Sequence, residues 1–131
     1  MEVLEILKNR LEIEAEELEE IISEITRIEK NLGQENILLD EQAKVGLYSH
    51  MISFIRRLKN NEQVMGIGEE IASQIDKKPI RLAEEIAHPL FERYKVLIDL
   101  SEILLIAIHI QAAISDDEEN NAEYQTMKGG M

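Results

Sequence analysis

Cysteine and tryptophan are missing altogether from the 131 residues, and proline occurs only twice. Without thiols the chain has no disulfide, no cysteine nucleophile and no thiolate ligand for a metal. It needs no such staple, because a chain of this length can bury an adequate core by itself. Aromatic residues make up 4% against a hydrophobic content of 44%, so aliphatic side chains must fill the interior, which favours helices packed on helices. Neither a P-loop nor a GxSxG pattern occurs, and no glycine-rich turn follows a strand-like run, so the usual signs of nucleotide binding and serine hydrolysis are absent. The longest apolar run, in Leu100 to Ile114, is broken by His109 and Gln111, short of the roughly 20 residues that span a bilayer. The opening MEVLEILKNR has neither the basic start nor the long apolar run of a secretory signal. A cytoplasmic protein with no membrane partner is expected.

Basic residues are also scarce: 14 Lys and Arg stand against 27 Asp and Glu, a net charge of −13 with a pI near 4.6. The excess lies at the two ends, with ten acids against four bases in residues 1–30 and five against one in 115–131. Affinity for nucleic acid comes mainly from Lys and Arg displacing counterions from phosphates. Direct nucleic-acid binding is therefore not expected.

What the chain does have is an apolar stretch around which the rest can be organised, LSEILLIAIHIQAAI at Leu100 to Ile114. At 3.6 residues per turn Ile103, Leu104, Leu105, Ile106, Ile108 and Ile110 point in every direction, the pattern of a helix surrounded by protein. Ahead of it, Val3 to Ile28 carries apolar residues three and four apart, predicting one long amphipathic helix or two joined near Ile13 to Glu16. Gly33 is a candidate left-handed cap. Asp40 is the expected N-cap of a helix running to about Lys59 and ended by Asn60 and Asn61, with Leu47, Met51, Phe54, Ile55 and Leu58 as its core stripe. Gly66 and Gly68 loosen the turn before a short helix from Glu69 to Ile75. Pro79 suits the first turn of a helix reaching Tyr94, after Asp76, Lys77 and Lys78 as connection, and Pro89 predicts a kink or break after His88. Asp99 with Glu102 resembles a capping box at the start of the last helix. Beyond Ser115 large aliphatics almost vanish, predicting a disordered acidic tail over residues 116–131. The expectation is an all-α, compact five-helix bundle occupying residues 1–115.

Two pairs of polar residues interrupt this pattern at matching intervals. His50 and Arg57 are seven apart, and so are Glu102 and His109. Seven residues return a helix to within about 20° of the same direction, so each pair lines one edge of its helix. Small alanines at positions 112 and 113 would leave the His109 ring reachable. The plain readings are a core histidine bonded to a carbonyl for His109, a surface histidine for His50, a solvated arginine for Arg57 and a cap for Glu102. The third histidine, His88, makes an E-x-x-H pair with Glu85, but di-iron bundles need that motif twice. Leu47 and Ile106 stand where the other histidines would need an acid, so neither a metal nor a cofactor is expected.

Read together, LYSHMISFIRR at Leu47 to Arg57 and DLSEILLIAIHIQAA at Asp99 to Ala113 resemble the two histidine motifs of the PTS regulation domain (PRD) family. This helical module responds to the bacterial sugar phosphotransferase system in antiterminators and transcriptional activators. The resemblance covers roughly residues 15–115 and implies a non-enzymatic regulatory bundle of PRD type. It implies that His50 and His109 are phosphoacceptors and that Arg57 and Glu102 match the arginine closing the first motif and the acid opening the second, as phosphate or pairing partners. The implied donor is the phosphocarrier protein or a sugar permease component, and the implied assembly is a homodimer whose packing phosphorylation resets. Two departures stand out. Ser49 occupies the place of an acid that usually precedes the first histidine. An acidic helix begins where regulators of the family carry an RNA- or DNA-binding module, so a free-standing domain acting on a regulator protein or through its own oligomer is expected.

The chemistry suits these residues. An acceptor imidazole must be neutral at one nitrogen and open to a donor, which histidine satisfies near neutral pH. A phosphoryl group brings roughly two negative charges and needs a cationic partner, which Arg57 can supply in bidentate form. The expected arrangement has the two edges facing each other across one cleft or dimer seam, with Arg57 on either Glu102 or the phosphate. Two other readings compete: a histidine phosphotransfer carrier of a phosphorelay, which needs one exposed histidine, and a structural helical adaptor docking through the Val3 to Ile28 stripe.

Overall fold

The apolar spacing of the N-terminal third folds as two helices rather than one. In the computed structural model the backbone is described for residues 2–63 and 69–129, and side chains for 3–63 and 70–114. Helix α1 (Glu2–Arg10) ends where the spacing slips, and α2 (Ala15–Gln34) begins at the far side of that slip. Glu12 takes a left-handed φ of 50° at the joint. Arg56 braces it by donating to the Leu11 carbonyl at 2.9 Å while its guanidinium pairs with Glu17. The joint accounts for six helices among the described residues where five were counted.

Gly33, expected as the left-handed cap of α2, stays helical. Asn36 adopts that conformation instead (φ 59°), with the Ile37 amide reaching back to the Leu32 carbonyl at 2.9 Å. Asparagine tolerates the left-handed region, and moving the cap three residues on lets Leu32 remain in the core. Helix α3 (Glu41–Lys59) starts as expected: the Asp40 carboxylate accepts from the Ala43 amide at 2.7 Å. Asn60 and Asn61 close it, Asn61 with a φ of 55°.

Gly66 and Gly68 lie outside the described residues. Helix α4 (Glu69–Ala72) is a single turn, shorter than the expected run to Ile75. Helix α5 (Lys77–Tyr94) takes in Lys77 and Lys78, which were assigned to the connection, and places Pro79 in its first turn. It also runs through Pro89 without a break. Proline removes the amide that would bond the Glu85 carbonyl, and Arg27 of α2 fills the gap, reaching that oxygen at 3.4 Å and the Ile86 carbonyl at 2.8 Å. Of the expected kink or break, the break does not occur, and the freed Glu85 carbonyl is met by a side chain from another helix.

Helix α6 (Leu100–Gly129) packs against α5 and α3. Ile103, Leu104, Ile106, Ala107, Ile110 and Ala113 are buried there, opposite Leu82, Ala83, Ile86, Ala87 and Leu90 of α5 and the Leu47 to Leu58 stripe of α3. Phe54 and Phe91 meet edge to face with ring centres 5.3 Å apart. Yet α6 is not surrounded on all sides. Ile108 and Ala112 are exposed and Leu105 and His109 only partly covered, and these four share one face at helical spacing. The polar ring and the small alanine suit a flank that no other helix covers among the described residues. The helical backbone of α6 extends beyond Ser115 to Gly129. No proline or glycine intervenes over that stretch, and Glu, Ala, Gln, Met and Lys favour helix.

Candidate functional site: two histidines and a buried carboxylate between α3 and α6

The helical edges that carry the polar pairs face each other. Gly46 of α3 lies against His109 of α6, and Arg57 of α3 holds Glu102 of α6, so the two helices run antiparallel here. His50 sits between these two contacts. Its ring centre is 5.8 Å from that of His109, and its Nε2 is 3.5 Å from Glu102 Oε1. All four residues singled out in the sequence therefore belong to one site.

Glu102 was expected to cap its own helix, and it does not. Asp99 performs the capping by accepting from the Ser101 amide at 3.0 Å. Glu102 is turned inward, 2% exposed, and held by two parallel bonds from Arg57: Nε to Oε2 at 2.7 Å and Nη2 to Oε1 at 2.8 Å. This is the bidentate geometry in which the planar guanidinium matches a carboxylate. The first turn of α6 adds the positive end of the helix dipole. A buried carboxylate without such partners would be strongly disfavoured.

His50 has the opposite problem. Its side chain is 11% exposed, and Nε2 is buried with no hydrogen-bond partner among the described residues. Burial, then the charge of Arg57 and the presence of His109, push its pKa down to about 4. The ring is neutral at pH 7, so its 3.5 Å approach to Glu102 is a contact and not an ion pair. Burial lowers His109 as well. Both rings are therefore in the form that offers a nitrogen lone pair to an electrophile.

Gly46 belongs to the site although the sequence reading passed over it. A Cβ there would stand 3.2 Å from His109 Nδ1 and 3.3 Å from Cε1, closer than ordinary van der Waals contact. A glycine in the interior of α3 costs about 1 kcal/mol against alanine. That cost, one turn ahead of His50, was the available signal. Conversely, His88 is exposed on α5 and contributes nothing here. No group of three or more His, Asp or Glu able to hold a metal occurs among the described residues.

A family model described as PRD domain matches residues 19–113, a span that runs from within α2 to within α6 and holds all the residues above. The chain belongs to the PRD family, whose domains are regulatory phosphorylation targets and not catalytic units. No curated protein and no solved structure matches it. The fold is all-α, as PRD domains are, and no described helix is long and apolar enough to cross a membrane.

Proposed function

We propose that this PRD domain is a phosphohistidine switch of the bacterial sugar phosphotransferase system, regulating transcription through a protein partner or through its own dimer. His50 and His109 accept the phosphoryl group from the phosphocarrier protein or a sugar permease component, in the cytoplasm. The observation that carries this reading is the bidentate Arg57 to Glu102 pair standing beside two neutral imidazoles. A phosphoryl group placed among them competes with Glu102 for Arg57, and that exchange biases how α3 and α6 pack. Dimerisation is supported by Leu97, Ile98, Leu100 and Ile108, large apolar side chains left exposed along the α5–α6 connection and the open flank of α6.

The test is mass-spectrometric mapping of phosphohistidine after incubation with a phosphorylated phosphocarrier protein, together with sedimentation of the labelled and unlabelled chain. Label at positions 50 and 109 and a change in self-association are expected. A double substitution, His50→Ala with His109→Ala, that leaves labelling unchanged overturns the reading.

A further inference from the structure

The two rings are not presented alike. His109 lies on the flank of α6 that no helix covers among the described residues, with Ile108 and Ala112 exposed beside it. His50 lies behind it, its Nε2 buried against the carboxylate that Arg57 holds with two bonds. To bring the His50 nitrogen to a donor protein, the ring must leave that position or the Arg57 to Glu102 clasp must part. No comparable ion pair restrains His109 among the described residues, and its close neighbour across the seam is the bare backbone of Gly46.

Resting on the phosphoacceptor reading above, we propose that Arg57 and Glu102 set the order of modification: His109 is the entry acceptor, and His50 reacts only when the clasp opens. In either step the P–N bond of the donor breaks with its electron pair returning to the donor ring. The acceptor nitrogen forms the new P–N bond from its lone pair, the acceptor ring loses the proton carried by its other nitrogen, and the donor ring takes up one proton in exchange. Opening a clasp of two charge-assisted bonds is a local excursion costing at least about 1.4 kcal/mol, which slows His50 about tenfold or more. Glu102 and Arg57 act here as positioning residues, because they control whether His50 is reached and take no part in the transfer.

The full chain tests this with a small electrophile and with the protein donor in parallel. The free nitrogen of neutral imidazole attacks a carbonyl of diethyl pyrocarbonate and displaces ethyl carbonate, which leaves as ethanol and carbon dioxide, and exposed His88 provides an internal standard. Site-resolved mass spectrometry is expected to show His50 modified about tenfold more slowly than His109, with His109 nearer to His88. Glu102→Gln keeps the shape and removes the charge that fixes Arg57, so it is expected to accelerate His50 alone. Arg57→Lys, which loses the fork and keeps the charge, is expected to move it the same way by less. Glu24→Gln, which loosens a different buried carboxylate, is expected to leave the ratio of the two rings unchanged. Equal rates at His50 and His109 in the native chain, or variants that accelerate both rings together, overturn the gate. Ordered carbethoxylation with no phosphoryl label on either ring overturns the phosphoacceptor reading and leaves the gate standing, so the two failures are distinct.

Discussion

Glu24 and Glu102 are equally buried, each 2% exposed, yet they are built differently. Glu24 is shared by two arginines. Arg27 grips Oε2 from its own helix, Arg93 donates to Oε1 at 2.8 Å from α5, and Arg27 goes on to the backbone of α5 that Pro89 left unbonded. Every direction around that carboxylate is committed to joining α2 and α5. Glu102 has one arginine, and next to it stands a buried imidazole nitrogen with no bond. A saturated ion cluster can only be broken, whereas an under-filled one can gain a charge. On the proposed reading, that difference separates a clamp from a receptor for phosphate.

The largest effect is expected where the comparison is broken on the under-filled side. Arg57→Ala leaves Glu102 as an unpaired buried charge, a change that typically costs about 3–5 kcal/mol. Urea denaturation measures the loss, and a shift under about 1 kcal/mol means that the carboxylate has found water or a proton. On the saturated side, Glu24→Ala strands two arginines whose side chains are 28% and 47% exposed. They can turn to solvent, so a smaller loss of about 2 kcal/mol is expected. The order of histidine modification should not move. If it does, the clamp and the receptor are one network.

Acid sharpens the contrast further. His50 is held near 4 in the folded chain against an ordinary value of about 6.5, so between those values the unfolded chain binds the extra proton. Its contribution is complete above about pH 6.5 and is lost as the pH falls toward about 4, amounting to about 2 kcal/mol between pH 7 and pH 5. The Glu17 and Glu20 carboxyls are held below their usual range by arginine, lysine and tyrosine partners, and they lose their contribution only at lower pH. Chemical denaturation at the two pH values should therefore show a drop in the native chain that shrinks in His50→Gln, the remainder belonging to His109, which burial lowers in the same direction. An undiminished drop assigns the acid sensitivity to other groups.

Much of the site could be read in the sequence because helices make it periodic. His50 with Arg57 and Glu102 with His109 share edges by the same seven-residue interval, and the facing of those edges follows once both helices contribute to one core. Three things could not be read. The pairing of Arg57 with Glu102 was expected, but not that it would bury the carboxylate and replace its cap, because the guanidinium comes from 45 positions away in the chain. Glu24 carries no local mark of burial in the sequence, and only the placement of Arg93, 69 positions on, reveals it. The continuity of α5 through Pro89 likewise depends on Arg27, whose reach is a tertiary fact. Local signals predicted local structure well, and failed where a long side chain from elsewhere completed a local deficit.

The smallest expected effect on stability tests the closest contact of the site. Gly46→Ala gains about 1 kcal/mol of helix propensity and brings a Cβ to 3.2 Å from the His109 ring, an overpacking that costs about 1–3 kcal/mol when neighbours cannot yield. His109 lies on the uncovered flank of α6 and can yield by a few tenths of an ångström, so the two terms nearly cancel and net stability changes by about 1 kcal/mol or less. The ring itself does move. Pushed outward, it recovers part of its hydration, and its pKa rises back toward the ordinary value from which burial lowered it. Titration of the His109 ring by NMR reads this displacement directly, with His88 as the control. An unmoved His109 pKa in a variant of unchanged stability means that the glycine serves only the packing of α3.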